Sequence, residues 1–310
     1  MTTLTVALTL VRPSVGTEFS YALGDGGEAP QAQGVAALAL LPTADAVVLV
    51  VPTQALSWHV VKLPPVAAGR QRAALDGLLE DHLLDDPAAL ALALAPARQP
   101  DGSVLVAACD KAWLSDALQL FERAGRRARR VVPELAPLEP AGPLRLRLVV
   151  SGTPEAPRLA VVDSSGVVAV DLAQGRQLLG AETLDTGDVE LLAEPAVAEL
   201  AEAALGLTAT VRSPAQALQA SSRTGWELAQ FDLATSGSGR LARRWTEAGR
   251  QLAGAPRWRA LRWGLVAVVV ANLVGLNAWA WHLDATVVAR RAQVRQLLTQ
   301  TFPKVRTVVD

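Results

Sequence analysis

Cysteine occurs once, at Cys109, which excludes an intramolecular disulfide and a cysteine metal cluster and fits a reducing compartment. That thiol ends the apolar run Val104 to Ala108 and reads as a small core residue. Histidine is nearly as scarce. His59, His82 and His282 lie at no metal-ligand spacing, and His59, inside an apolar run, reads as structural. No G-x-x-x-x-G-K-[ST] occurs, so a Walker phosphate loop is excluded, and no serine stands in a G-x-S-x-G turn. The sequence therefore suggests no catalytic residue, no metal site and no cofactor. Net charge is also lacking: the sum is -1, which points away from nucleic acid as a partner.

Charge is missing altogether from one stretch, Trp263 to Leu283, which has no Asp, Glu, Lys or Arg. At ~1.5 Å rise per residue such a helix crosses the ~30 Å hydrocarbon core, so residues 263–283 are expected to be a transmembrane helix. Its place late in the chain is not that of a cleavable leader. Arg257, Arg259 and Arg262 stand just before it, whereas the far side opens with Asp284 and has no basic residue until Arg290. By the positive-inside rule the long N-terminal part is expected in the cytoplasm and the short C-terminal part outside it. Trp258 and Trp263 at one end, with Trp279 and Trp281 at the other, are expected as interfacial anchors beside the arginines. Ala267, Ala271 and Gly275 share one helical face as small-xxx-small steps, and Asn272 can hydrogen-bond across a helix pair, so this face is a candidate for pairing.

The chain is 51% hydrophobic, and without the anchor and its flanks ~230 residues remain, enough for one large domain or two small ones. Strands are expected at 3–11, 18–23, 46–51 and 56–63, with a Gly- and Ala-rich loop after the second. Leu75, Leu78, Leu79 and Leu83 recur at threes and fours and predict a helix over 67–84. Its acidic end, Glu80, Asp81, Asp85 and Asp86, is a solvated helix end and a candidate contact for a basic partner. Strands at 89–95 and 104–108, a helix over 113–124 capped by Gly125, and a strand at 131–134 complete a first lobe, 1–134.

A Pro-rich passage from Pro133 to Pro143 marks a boundary, and a second lobe is expected over 135–234. It opens with strands at 144–150, 158–162 and 167–171, the last two joined by the hairpin turn Asp163-Ser164-Ser165-Gly166. A long helix over 188–205, interrupted near Pro195 and stopped by Gly206, and a strand at 208–211 follow. Two β-rich units each followed by helices indicate an α/β chain with two similar lobes. A basic linker, 235–262, starts at Thr235-Ser236-Gly237-Ser238-Gly239, and each of its arginines near anionic headgroups contributes on the order of 1 kcal/mol. Residues 284–310 read as a helical stem that pairs with another helix, ended by Phe302-Pro303.

Two-lobed nucleotide-binding chains place an Asp-x-Gly turn after the first strand, where the carboxylate handles the metal. Here that turn is Arg12-Pro13-Ser14-Val15-Gly16, without a carboxylate. The Asp163 turn keeps an Asp and a Gly, a pattern common to plain hairpins and to phosphate turns.

Several segments, in order along the whole chain, resemble the inner-membrane protein L of bacterial type II secretion systems. They are Leu63-Pro64 before the helix with Leu78-Leu79-Glu80-Asp81, Ala107 through Trp113-Leu114, Gly125 with Pro133-Glu134, and Trp226 to Leu233. Asn272 to Trp279 and Gln300-Thr301-Phe302-Pro303-Lys304-Val305 continue the series. The resemblance implies a degenerate actin-like cytoplasmic region without ATPase activity, which recruits the secretion ATPase, the E component, to the inner membrane. It also implies pairing with the bitopic M component, contact with the platform protein F and self-association. The family continues into a small ferredoxin-like periplasmic domain, most of which this sequence is expected to lack. A membrane-tethered actin-like ATPase or kinase, and a type IV pilus alignment protein, are the alternatives.

Overall fold

The structure is a computed structural model that describes residues 1–234 except positions 26, 28, 141, 185 and 186. The linker 235–262, the expected transmembrane helix 263–283 with its pairing face (Ala267, Ala271, Asn272, Gly275), the anchors Arg257, Arg259, Arg262, Trp263 and Trp281, and the stem 284–310 lie outside the described residues. Among the described residues no helix is long and apolar enough to cross a membrane.

Apolar runs bounded by turns build the first sheet. It contains β1 (Thr3–Ala7), β2 (Glu18–Gly24), β3 (Ala32–Ala37), β4 (Ala46–Val51) and β8 (Ala128–Pro133), in the order β3-β2-β1-β4-β8. The β2 and β3 strands run antiparallel to their neighbours, whereas β1, β4 and β8 are parallel. Every residue of β4 is buried, as its unbroken AVVLVV predicts for a strand covered on both faces. One face carries Leu4, Val6, Phe19, Leu49 and Val51 into a core shared with Trp113, Leu114, Ala117 and Phe121 of α2 (Lys111–Arg123). Phe19 and Phe121 meet edge-on at 5.2 Å between centroids. The Asp110 carboxylate caps the helix by accepting from Trp113 N at 3.0 Å.

Between β4 and β8 the chain inserts a second, three-stranded antiparallel sheet. It consists of β5 (Ser57–Val61), β6 (Leu90–Leu94) and β7 (Val104–Asp110) in the order β5-β7-β6. Helix α1 (Gln71–Leu79) covers it through Leu75 and Leu79, both fully buried against Leu92, Val104, Val106 and Ala108.

The third sheet repeats the plan of the first. Its strands β9 (Leu146–Thr153), β10 (Ala156–Val162), β11 (Val167–Asp171), β12 (Val189–Ala193) and β13 (Thr210–Val211) are ordered β11-β10-β9-β12-β13. Two antiparallel pairs are followed by two parallel ones, as before. Helices α3 (Leu172–Leu184) and α4 (Ala198–Leu205) lie on this sheet, with Val197, Ala201 and Leu205 packed on Leu148, Val150 and Leu191. Gly206 at φ 70° ends α4 in the left-handed conformation, and its N–H donates to Glu202 O at 2.8 Å.

Four sequence expectations need correction. Residues 188–205 are not one helix: Val189–Ala193 is a parallel strand, and the helix begins only at Ala198. Leu191, Leu192 and Ala193 are apolar on both faces, which suits an interior strand, and Pro195 has no N–H with which to continue a helix. The Gly- and Ala-rich loop contains β3, an edge strand whose small residues left no apolar alternation to read. The helix over 67–84 is shorter, its regular part ending at Leu79. Helices α3 and α5 (Pro214–Ser221) were not expected, although α5 carries a full capping box between Ser213 and Gln216 with Pro214 in its first turn.

The chain does not end in the third sheet. Helix α5 returns to the first one, where Leu218 joins Ala22, Val48, Val50 and Val132. Residues 222–234 then run as a strap along the free side of β8. The Arg130 guanidinium donates to the carbonyls of Ser222, Thr224 and Trp226, Leu228 N donates to Val131 O at 2.7 Å, and Glu227 accepts from Val131 N at 2.9 Å. Further on, the Gln230 amide accepts from Leu94 N and donates to Leu94 O at 3.1 and 2.9 Å, pairing with the edge of β6 as a backbone amide would. Trp226, Leu228 and Ala229 are buried in the core of the first sheet. The C-terminal end of the expected second lobe, from α5 onward, thus packs with the first.

Candidate functional site

The first and third sheets face each other across a cleft of about 1050 Å³. Directly opposed strand partners share a face, so Ser20 with Val35 on one wall, and Val149 with Ala160 and Ser151 with Arg158 on the other, line it together. Just past β8, Glu134 joins the segment after β4 to helix α5. Its Oε2 accepts from Thr53 N and Thr53 Oγ1 at 2.9 and 3.0 Å, and its carbonyl accepts from Ser221 Oγ at 2.7 Å.

At both turns where a phosphate could be cradled, some of the donors already bond within the chain. In the turn after β1, Ser14 N donates to Thr17 Oγ1 at 2.8 Å, Thr17 N donates to Ser14 O, and Arg12 pairs with Asp116 on α2. In the β10–β11 turn, Asp163 Oδ1 accepts from Ser165 N, Ser165 Oγ and Gly166 N at 2.7, 2.6 and 3.0 Å. That turn is also packed away: a Cβ on Gly166 would lie 2.7 Å from Trp58 Cβ, and Gln99 Nε2 donates to Ser164 O at 2.9 Å. Asp163 is therefore a hairpin residue, with its acceptor capacity at Oδ1 spent locally. Trp58 in turn stacks edge-on to Trp226 of the strap at 5.0 Å.

Other chemistry-bearing residues read plainly. Cys109 is buried on β7, and desolvation with the nearby Asp110 pushes its thiol up to about 12, so it is a protonated core residue. His59 is half-buried beside Ser57 Oγ at 3.0 Å, and burial, then His82, lowers its pKa. No cluster of metal-ligating side chains occurs among the described residues.

The acidic segment after α1 is exposed. Glu80 closes the helix, Asp81 and Asp85 face solvent, and Asp86 accepts from Ala88 N at 2.9 Å to start a short turn. Leu84, between the acids, is fully exposed. Asp85 and Asp86 also border a shallow groove of about 700 Å³ with Asp110, Lys111 and Ser115. The structure brings these acids to one surface but sets no partner against them.

Two sheets of the same strand order clasp a cleft, and the first carries an insert between its fourth and fifth strands. Residues 22–140 match the family of the type II secretion system (T2SS), protein L. The resemblance to protein L read from the sequence is shown over that region, which holds β3 to β8 and the acidic segment, and it supports a component of the type II secretion system. Comparison with curated protein sequences found no match. Among solved structures, the cytoplasmic domain of EpsL of Vibrio cholerae, described as an inner-membrane component of the type II secretion system, aligns with TM-score 0.50 at 18% identity. The alignment covers 76% of this chain and 99% of that one. A PilM-PilN type IV pilus biogenesis complex aligns with TM-score 0.44 at 14% identity, over 69% of this chain and 89% of that one. A Bacteroides thetaiotaomicron protein with an actin-like ATPase fold aligns with TM-score 0.36 at 11% identity, over 71% and 95%. The fold is mixed α/β and similar to that of the EpsL cytoplasmic domain.

Proposed function

We propose that this chain is a non-enzymatic scaffold of the type II secretion system. Its lobes, on the cytoplasmic side of the inner membrane, hold the secretion ATPase, and the segment 263–283 joins them to the M component and the platform protein F in a self-associating assembly. The observation that carries the reading is the protein L match over residues 22–140. The cleft supports it, since the backbone donors Ser165 N and Gly166 N of the Asp163 turn already bond to Asp163 Oδ1, and the turn after β1 contains no carboxylate for a nucleotide-bound metal. The exposed acids Glu80, Asp81, Asp85 and Asp86 around Leu84 supply the surface for a basic motor domain.

The test is affinity purification of the tagged full chain in detergent after co-expression with the type II secretion ATPase of the same organism. Stoichiometric recovery is expected. Charge reversal of Asp85 and Asp86 together is expected to weaken it about tenfold, more at low salt than at high. Failure to recover the ATPase from the unaltered chain, or magnesium-dependent ATP hydrolysis lost in Asp163→Ala, would overturn the reading.

A further inference from the structure

The cleft between the first and third sheets has an open side with features that a scaffold held by its outer surfaces does not require. Along one wall runs β3, whose outer edge pairs with no strand among the described residues. Natural edge strands are blunted by lysine, proline or inward charges. From Ala32 to Ala37 this one has none, only small and apolar residues with a single glutamine, and Val35 is 62% exposed. Gln33, Gly34 and Val35 all border the cleft. Of the three other edges of the two lobe-forming sheets, β8 is covered by the strap, β13 is two residues long, and β11, although Val168 on it is exposed, lies against the short turn Thr53–Ala55.

The same cleft is bordered by cationic groups. Arg212, just past β13, borders the cleft and forms no side-chain ion pair among the described residues. Arg158 on the opposite wall is nearly half exposed and stands 3.8 Å from Asp171, at the limit of an ion pair. Two of the carboxylates that border the cleft are already committed, Glu134 to Thr53 and Glu194 to Gly152 N at 3.0 Å. At the Asp163 turn the backbone donors Ser165 N and Gly166 N are already bonded to Asp163 Oδ1. An extended chain finds the open edge of β3 and guanidinium groups bordering one cleft.

We propose that the cleft binds an extended acidic peptide segment of a partner protein, which adds antiparallel or parallel to β3 as a sixth strand and sets carboxylates against Arg158 and Arg212. Main-chain bonds to β3 supply affinity, and the arginines select for acidic side chains at alternate positions. The site is separate from the acidic segment after α1, so its occupant does not compete with a basic partner bound there.

The experiment uses the full chain in detergent and a fluorescein-labelled peptide of roughly eight residues, about 27 Å when extended, alternating valine with glutamate. Fluorescence anisotropy is expected to show saturable binding, with amide exchange slowed over residues 32–37. Arg212→Glu is expected to weaken binding about fivefold, and Val35→Lys, which leaves the arginines in place, by a similar factor. A lysine-for-glutamate peptide is expected not to bind. Absence of binding up to about 1 mM, or binding that both variants leave unchanged, overturns the proposal. So does displacement by magnesium-ATP, which would make the cleft a nucleotide site. Concentration-dependent dimerisation that protects β3 without peptide would assign the edge to a second copy of the chain and would equally overturn it.

Discussion

Replacing Arg130 by methionine keeps an unbranched stem on β8 and removes every guanidinium donor. In the structure those donors meet the carbonyls of Ser222 at 2.9 Å and of Trp226 at 2.8 Å, with Thr224 between them, so one side chain holds three successive points of the strap. A bond from a charged donor contributes about 1.5 to 3 kcal/mol net, but the three share one cation and the carbonyls are half-buried, which allows water to replace part of the loss. The expected destabilisation is therefore about 3 kcal/mol, a large share of the ~5 to 15 kcal/mol that holds a domain together. The loss should fall first on the strap. Leu228 N, which donates to Val131 O at 2.7 Å, is the reporter amide, and its exchange should speed up on the order of 100-fold in Arg130→Met. Amides of the third sheet, such as those of β10, should change far less. The assay is amide exchange of the full chain by mass spectrometry, beside urea unfolding. Unchanged exchange at 226–230, with a stability loss below about 0.5 kcal/mol, would refute the idea that this guanidinium fastens the strap.

Gly166→Ala forces a Cβ to within 2.7 Å of Trp58 Cβ, and should cost about 1 to 3 kcal/mol and shift tryptophan emission, whereas Gly16→Ala, with nothing within 4 Å, should do neither. Equal melting temperatures for the two variants would show that the Asp163 turn is not docked on Trp58. The carboxyl of Asp232 is held below its usual range by the Lys111 ammonium, which donates to it at 2.6 Å. A depressed carboxylate contributes stability above its unfolded pKa of ~3.9 that is lost as pH falls through the lower folded value. Because the pair is exposed, Asp232→Asn should cost under about 1 kcal/mol at pH 7 and nothing at about pH 2, as read from urea midpoints.

How much of this was legible in advance varies with the kind of signal. Strands could be read where burial on both faces writes an unbroken apolar stretch, as in Ala46–Val51 and Val104–Asp110. Helix α2 was legible because its stripe of Leu114, Ala117, Leu118 and Phe121 follows the helical period. The residues 188–205 misled because Leu, Ala and Glu favour a helix locally, and only the slot between β9 and β13 makes Val189–Ala193 a strand. Strand β3 lacked a pattern because an edge bordered by solvent imposes none. The capping box at Ser213 was present in the letters and would have found α5.

The candidate sites divide in the same way. That the turn after the first strand has no carboxylate was fixed by the residues at 12–16, and no fold could restore one. Whether Asp163 faced a ligand or its own turn was not, since Asp-x-x-G serves both. Three short bonds to Oδ1 and the contact with Trp58, far away in sequence, decided it. Local chemistry is written in neighbouring residues because it depends on covalent spacing. The strap, the shared plan of the two sheets and the open edge of β3 depend on which distant segments exclude water from one another, and only the folded chain decides that.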